Sequence, residues 1–164
     1  MATDGAAAVT AVRSYHNYSL HAIVAAYGLA LVPHGYYTYR MTRVAPKGKT
    51  SNLIPRTNLS SLQNHIPEHD WSLLARARGA HLNALETAPL FAAAMLAGTQ
   101  AGLEPGEMNA VAGQYLVART VYTALYLGLR SEGLGFVRTG VWAWSVGVPV
   151  WVLVRAGGRL NSSS

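Results

Sequence analysis

The chain has 164 residues, 51% of them hydrophobic and only 12% charged, so it fits one small domain with too few charges for an ordinary soluble surface. Thirteen Lys and Arg stand against seven Asp and Glu, but they flank apolar segments instead of gathering on an arm, which argues against nucleic acid and for membrane topology. There is no cysteine, which excludes disulfides, thiolate metal sites and a cysteine nucleophile; any thiol chemistry must use a thiol brought by a cofactor.

Residues 1–12 are alanine-rich and lack the basic region and apolar core of a signal peptide, so the first spanning helix is expected to act as an uncleaved signal. That span covers about 18–39 and closes with Tyr36, Tyr37, Tyr39, Arg40 and Arg43, aromatic rings followed by arginines, as at a cytosolic membrane interface. Pro33 and Gly35 interrupt its lower part and are expected to kink it. His21 and His34 are too far apart to share a metal by helix spacing and read as packed or interfacial histidines.

Residues 44–69 are polar and turn-rich and read as a long cytosolic loop. His65 and His69 have zinc-helix spacing, but Pro67 between them breaks the helix such a site needs. Asp70 is the expected N-cap of the second helix, whose spanning part covers about 80–101. Further spans are expected over about 108–130 and 134–154, which makes residues 1–164 a single membrane domain. Basic residues crowd the first loop and recur in the third at Arg130 and Arg138, whereas the second loop has none. Those two loops are therefore expected in the cytosol and both termini outside, although Arg155 and Arg159 argue mildly the other way. Asn17, Asn58 and Asn161 match the glycosylation pattern, with Asn58 on the wrong side by this topology.

Two polar constellations interrupt the apolar spans. Asn83 and Glu86 are three residues apart and share a helix face, with Gly79 and Arg76 one and two turns earlier. The arrangement suits a polar or anionic ligand at the water edge; it suits equally a set of hydrogen bonds that only joins helices. On the third helix Tyr115, Arg119, Tyr122 and Tyr126 line one face. An arginine at that depth needs a partner, and Glu86 is the only acid within a span, so Arg119 is expected to pair with Glu86 within a subunit or across an interface.

Arg76 and Ala77, then Ala80, His81, Asn83, Glu86, Pro89 and Phe91, resemble the signature of the membrane-associated proteins in eicosanoid and glutathione metabolism, in their bacterial and fungal form. Asn52 through Arg56 resembles a loop element of such relatives. Arg119 with Tyr126, Leu127 and Gly128, and Arg138 with Thr139 and Trp142, resemble helix elements of the family's prostaglandin synthase. The resemblance implies an all-α integral membrane protein, a four-transmembrane-helix bundle of up-down topology that assembles as a homotrimer among membrane lipids. The implied membrane is the endoplasmic reticulum in a eukaryote and the inner membrane in a bacterium. It also implies glutathione as cofactor and a lipophilic small-molecule substrate, in a transferase, isomerase or peroxidase reaction.

On this resemblance Arg138, Tyr126 and Glu86 are the catalytic candidates, Arg138 as stabiliser of the glutathione thiolate with Arg130 its rival. Arg40, Arg76, His81, Asn83, Glu86, Arg119, Tyr122, Tyr126, Arg138 and Thr139 are expected to bind the cofactor. Gly79 and Leu82 stand where eicosanoid enzymes carry carboxylate-gripping arginines, and Tyr122 stands where prostaglandin synthase has a histidine. These departures keep open a glutathione-independent isomerase or cyclase of a lipophilic metabolite, and a non-catalytic lipid-binding scaffold. Gly28, Ala25, Gly98, Gly113 and Gly147 are expected to permit close helix approach. No metal, haem or nucleotide motif appears.

Overall fold

In the computed structural model the described residues are 16–129 and 135–162. They form α1 (Ser19–Val44), a single 3-10 turn (Pro55–Thr57), a short α2 (Asn58–Leu62), α3 (Glu68–Gln100), α4 (Pro105–Gly128) and α5 (Gly135–Asn161), with no strand among them. The alanine-rich start and Arg130 lie outside the described residues.

Each helix boundary has a local cause. Residues 16–18 are tied to α4 through Asn109, whose side chain accepts from Tyr18 N at 2.9 Å and donates to His16 O at 2.7 Å; Asn17 Oδ1 accepts from Ser19 N at 2.9 Å. At the other end Ala45 is extended, as expected of a residue preceding Pro46. Pro67 precedes the first turn of α3, which holds Glu68 and Asp70 against the positive helix end. The expected cap at Asp70 is thus corrected: the helix starts two residues earlier and leaves the Asp70 carboxylate free to meet Arg40 of α1. At the end of α3, Gly102 takes φ +65°, with Leu103 N bonded to Gly98 O and Gly102 N to Thr99 O, a Schellman closure. Pro105 opens α4 while the Glu104 carboxylate accepts from Glu107 N at 2.9 Å.

Helix α3 packs against α1, α4 and α5, and α4 also packs against α1 and α5; α1 and α5 do not touch. The main core lies where these helices meet, around Phe91 stacked on Tyr115 with ring centroids 3.9 Å apart, together with Met95, Met108 and Val152. Here Gly98 matters: a Cβ on it would lie 2.6 Å from Met108 Sδ and 3.0 Å from Val152 Cγ1. Gly28, Gly113 and Gly147 have open space instead, so of these glycines only Gly98 brings helices together within the chain.

The 44–69 loop is more folded than its polarity suggests. Leu59 and Leu62 of α2 bury against Tyr37, Leu74 and Ala77, and Trp71 Nε1 donates to Leu59 O at 3.0 Å. Asn58 is buried, accepting from Ser51 N and donating to Ser51 O, so this sequon asparagine is a loop staple.

Helix α5 is long and apolar enough to cross a membrane, and it is the only one among the described residues. The sequence expectation of four such segments therefore rests, for α1, α3 and α4, on length and resemblance. These helices have 26, 33 and 24 residues, ample at the helical rise, but polar side chains dilute their hydropathy. The expected spans also understate the helices: α1 runs past 39 to Val44, and α5 past 154 to Asn161.

Candidate functional site

The polar residues of α3 and α4 meet in antiparallel register. Asn83 lies opposite Arg119, whose Nη1 donates to Asn83 Oδ1 at 3.1 Å, and one turn along Thr87 Oγ1 lies 3.3 Å from the Tyr115 hydroxyl. Arg119 is 3% exposed, and its Nε and Nη2 have no partner. Its guanidinium carbon sits 4.5 Å from the Tyr122 ring centre, and Tyr122 meets Tyr126 edge-on with ring centres 5.5 Å apart. Arg138 at the start of α5 stacks on Tyr126, again at 4.5 Å. A tyrosine pair is thus held between two cations, a favourable geometry for the ring quadrupoles.

The pocket this builds is lined by Asn83, Tyr122, Tyr126, Arg138, Thr139 and Trp142 and has a volume of about 190 Å³, open on one side. No carboxylate lines it; Arg138 at its wall and Arg119 beneath Asn83 bring two positive charges to it, against the single charge of Glu86, which also acts on Tyr122 from outside the wall. Because Asn83 Oδ1 accepts from Arg119, the amide NH₂ is left as a donor. Thr139 Oγ1 donates to Gly135 O at 3.2 Å, which leaves its lone pairs as acceptors. Arg138 makes no hydrogen bond among the described residues.

Four expectations are redirected by the geometry. Arg119 does not pair with Glu86 within the chain: Asn83 lies near the buried stripe of α3 that carries Ala80, Ala84, Thr87 and Phe91, whereas Glu86 is rotated roughly 100° from Thr87 and is exposed. Glu86 makes no hydrogen bond or ion pair among the described residues and does not line the pocket. His81 faces α1, with Nδ1 2.8 Å from Ala30 O. A carbonyl accepts, so Nδ1 carries the proton there; the contact lies one turn before Pro33, and the His81 ring sits beside that of His34, ring centres 4.7 Å apart. Arg40 is engaged by Asp70, an ion pair that joins α1 to α3. Arg76 stays half-buried on α3, its Nη1 donating to Ser72 Oγ at 3.4 Å and its Nε unpartnered.

One relation was missed at the sequence level. Gly79 carries no side chain because the Tyr126 hydroxyl occupies its place: a Cβ there would lie 2.7 Å from Tyr126 Oη. The signal was available in the antiparallel register, which sets 79 against 126 much as it sets 83 against 119. Gly79 and Leu82 were read only as lost arginines.

None of the curated proteins and none of the solved structures compared with the chain matches it. The model of the MAPEG family matches residues 7–158, nearly the whole chain, and takes in every helix but the last three residues of α5, with every pocket residue described above. The chain belongs to the MAPEG family of membrane-integral proteins.

Proposed function

We propose that the electropositive pocket binds glutathione as its thiolate and that the protein is a multi-pass membrane enzyme presenting that thiolate to a lipophilic substrate, as a transferase, isomerase or peroxidase. The observation that carries this reading is the pairing of two cations with no acid: Arg119 and Arg138 flank Tyr122 and Tyr126, and no carboxylate lines the space between. A cationic, partly desolvated site favours the charged form of an acidic group that enters it, so the ordinary thiol pKa of about 8.5 falls and the nucleophile forms near neutral pH. Arg138 is the group we assign to the sulfur, because its donors are uncommitted. Tyr126 Oη and the Asn83 amide supply further donors; the thiol proton is released to solvent, and the thiolate lone pair forms the bond to the substrate's electrophilic centre as the bond to a leaving group breaks, its electron pair departing with that group.

In this reading α1, α3, α4 and α5 cross the bilayer up and down, and three copies assemble. Support comes from the outer faces: Leu20, Val24, Tyr27 and Leu31 form an exposed apolar stripe on α1, and Gly28 and Gly113 offer open small-residue surface for a neighbour. The pocket's open side and small volume fit a site completed by another copy. The membrane is the endoplasmic reticulum if the source is eukaryotic and the inner membrane if it is bacterial.

A second reading has its own observation. The Tyr126 hydroxyl fills the position at Gly79 where relatives carry an arginine, and Arg40 is engaged by Asp70, so two anchors for a peptide carboxylate are lost. That favours a glutathione-independent isomerase or cyclase, with Tyr126 as proton donor and Arg138 stabilising an enolate-like anion. Titration of the detergent-solubilised protein with glutathione, followed by thiolate absorbance, separates the two. A signal lost in Arg138→Ala supports the first reading; no binding at millimolar glutathione supports the second.

A further inference from the structure

A second cavity of about 480 Å³ lies between α4 and α5, on another face of α5 from the pocket and roughly 12 Å along α4 from it, judged by the eight-residue step from Tyr122 to Gln114. Its walls are apolar, from Val111, Trp144, Gly147, Val148 and Trp151, and one end is charged. There Glu107 Oε2 and Arg155 Nη2 form a loose pair at 3.4 Å, while Glu107 Oε1 is buried with no hydrogen-bond partner. Arg155 is half exposed and stacks on Trp151 at 5.2 Å. Both groups stand at the expected ends of membrane spans, Glu107 just before 108 and Arg155 just after 154, the depth of a lipid headgroup.

We propose that this cleft is a binding site for a zwitterionic phospholipid with a primary ammonium headgroup, a phosphatidylethanolamine. The charge pattern selects this occupant. The Glu107 carboxylate lines the cleft, is partly exposed and is held only by the loose pair to Arg155, so an ammonium entering there supplies the donor it lacks; the outward donors of Arg155 take the phosphodiester; the apolar cleft takes part of an acyl chain. Phosphatidylglycerol offers Glu107 only neutral hydroxyls and adds a net negative charge beside it, and a quaternary ammonium carries no N–H to donate. The site rests on the multi-pass reading of α4 and α5 but shares no residue with the pocket assigned to chemistry, so failure of glutathione binding leaves it standing.

The test is lipid retention by the full-length protein in nanodiscs made from equal parts of phosphatidylethanolamine, phosphatidylcholine and phosphatidylglycerol, read by mass spectrometry of lipid co-released with the protein. One added charge-assisted hydrogen bond predicts about tenfold enrichment of the ethanolamine lipid over the choline lipid. Glu107→Gln should abolish that preference. Gly147→Leu, placed where a Cβ meets nothing within 4 Å and so tolerated by the fold, should fill the cleft and lower retention of all three. Equal retention of the three lipids by the unmodified protein overturns the proposal, as does a preference that survives Glu107→Gln or total retention that is unchanged in Gly147→Leu.

Discussion

A guanidinium buried beneath Asn83 and Tyr122, with two of its nitrogens unpaired, is costly to hold, and each remaining interaction of Arg119 counts for more as a result. Asn83→Leu removes the one hydrogen bond to that charge and should destabilise the protein by about 1.5–3 kcal/mol, read as a lowered melting temperature in detergent. Gly79 and Tyr126 make a sharper test. Gly79→Ala would gain about 1 kcal/mol of helix propensity, but its Cβ would sit 2.7 Å from Tyr126 Oη, so the ring must move off Arg138. The single variant should lose activity, whereas the Gly79→Ala/Tyr126→Phe pair should be more stable than Gly79→Ala alone. Additivity in that double-mutant cycle would show that the contact carries no energy.

At the scale of helices, glycines that look alike in the sequence differ in consequence. Gly98→Leu forces a side chain into the Met108 and Val152 contact and should cost about 1–3 kcal/mol or more, while Gly113→Leu, in open space, should change the stability of the isolated chain by no more than about 0.5 kcal/mol. Helix positions were legible in the sequence because apolar runs bounded by Pro46, Pro67, Gly102 and Pro105 punctuate the chain. Partnerships between helices were legible only by register. Arg119 was assigned to Glu86 on chemistry, as the sole acid in a span, and the structure gives it Asn83 because rotation about α3 puts the carboxylate outside. His81 was assigned to a ligand, yet its Nδ1–H donates to Ala30 O of α1. The loop of 44–69 read as polar because its buried residues, Asn58, Leu59 and Leu62, are few and lie within one short helix. The pocket wall made by Tyr122, Tyr126, Arg138 and Thr139 was readable, because those residues fall on single faces of adjacent helices.

For the whole molecule, length and composition make α5 a candidate span among the described residues, and the proposal extends this to α1, α3 and α4. The absence of cysteine makes single-cysteine labelling clean. Ser51→Cys in the loop and Gln100→Cys at the far end of α3 should react with an impermeant thiol reagent from opposite sides of the membrane; labelling from one side would mean that α3 does not cross. We propose that the pocket between Arg119 and Arg138 draws in glutathione and ionises its thiol, and thiolate absorbance on titrating the solubilised protein with glutathione tests this. The prediction is a saturable thiolate signal at neutral pH that disappears in Arg138→Ala while the fold is kept. A protein that shows no signal at millimolar glutathione, or whose signal survives the loss of Arg138, contradicts it.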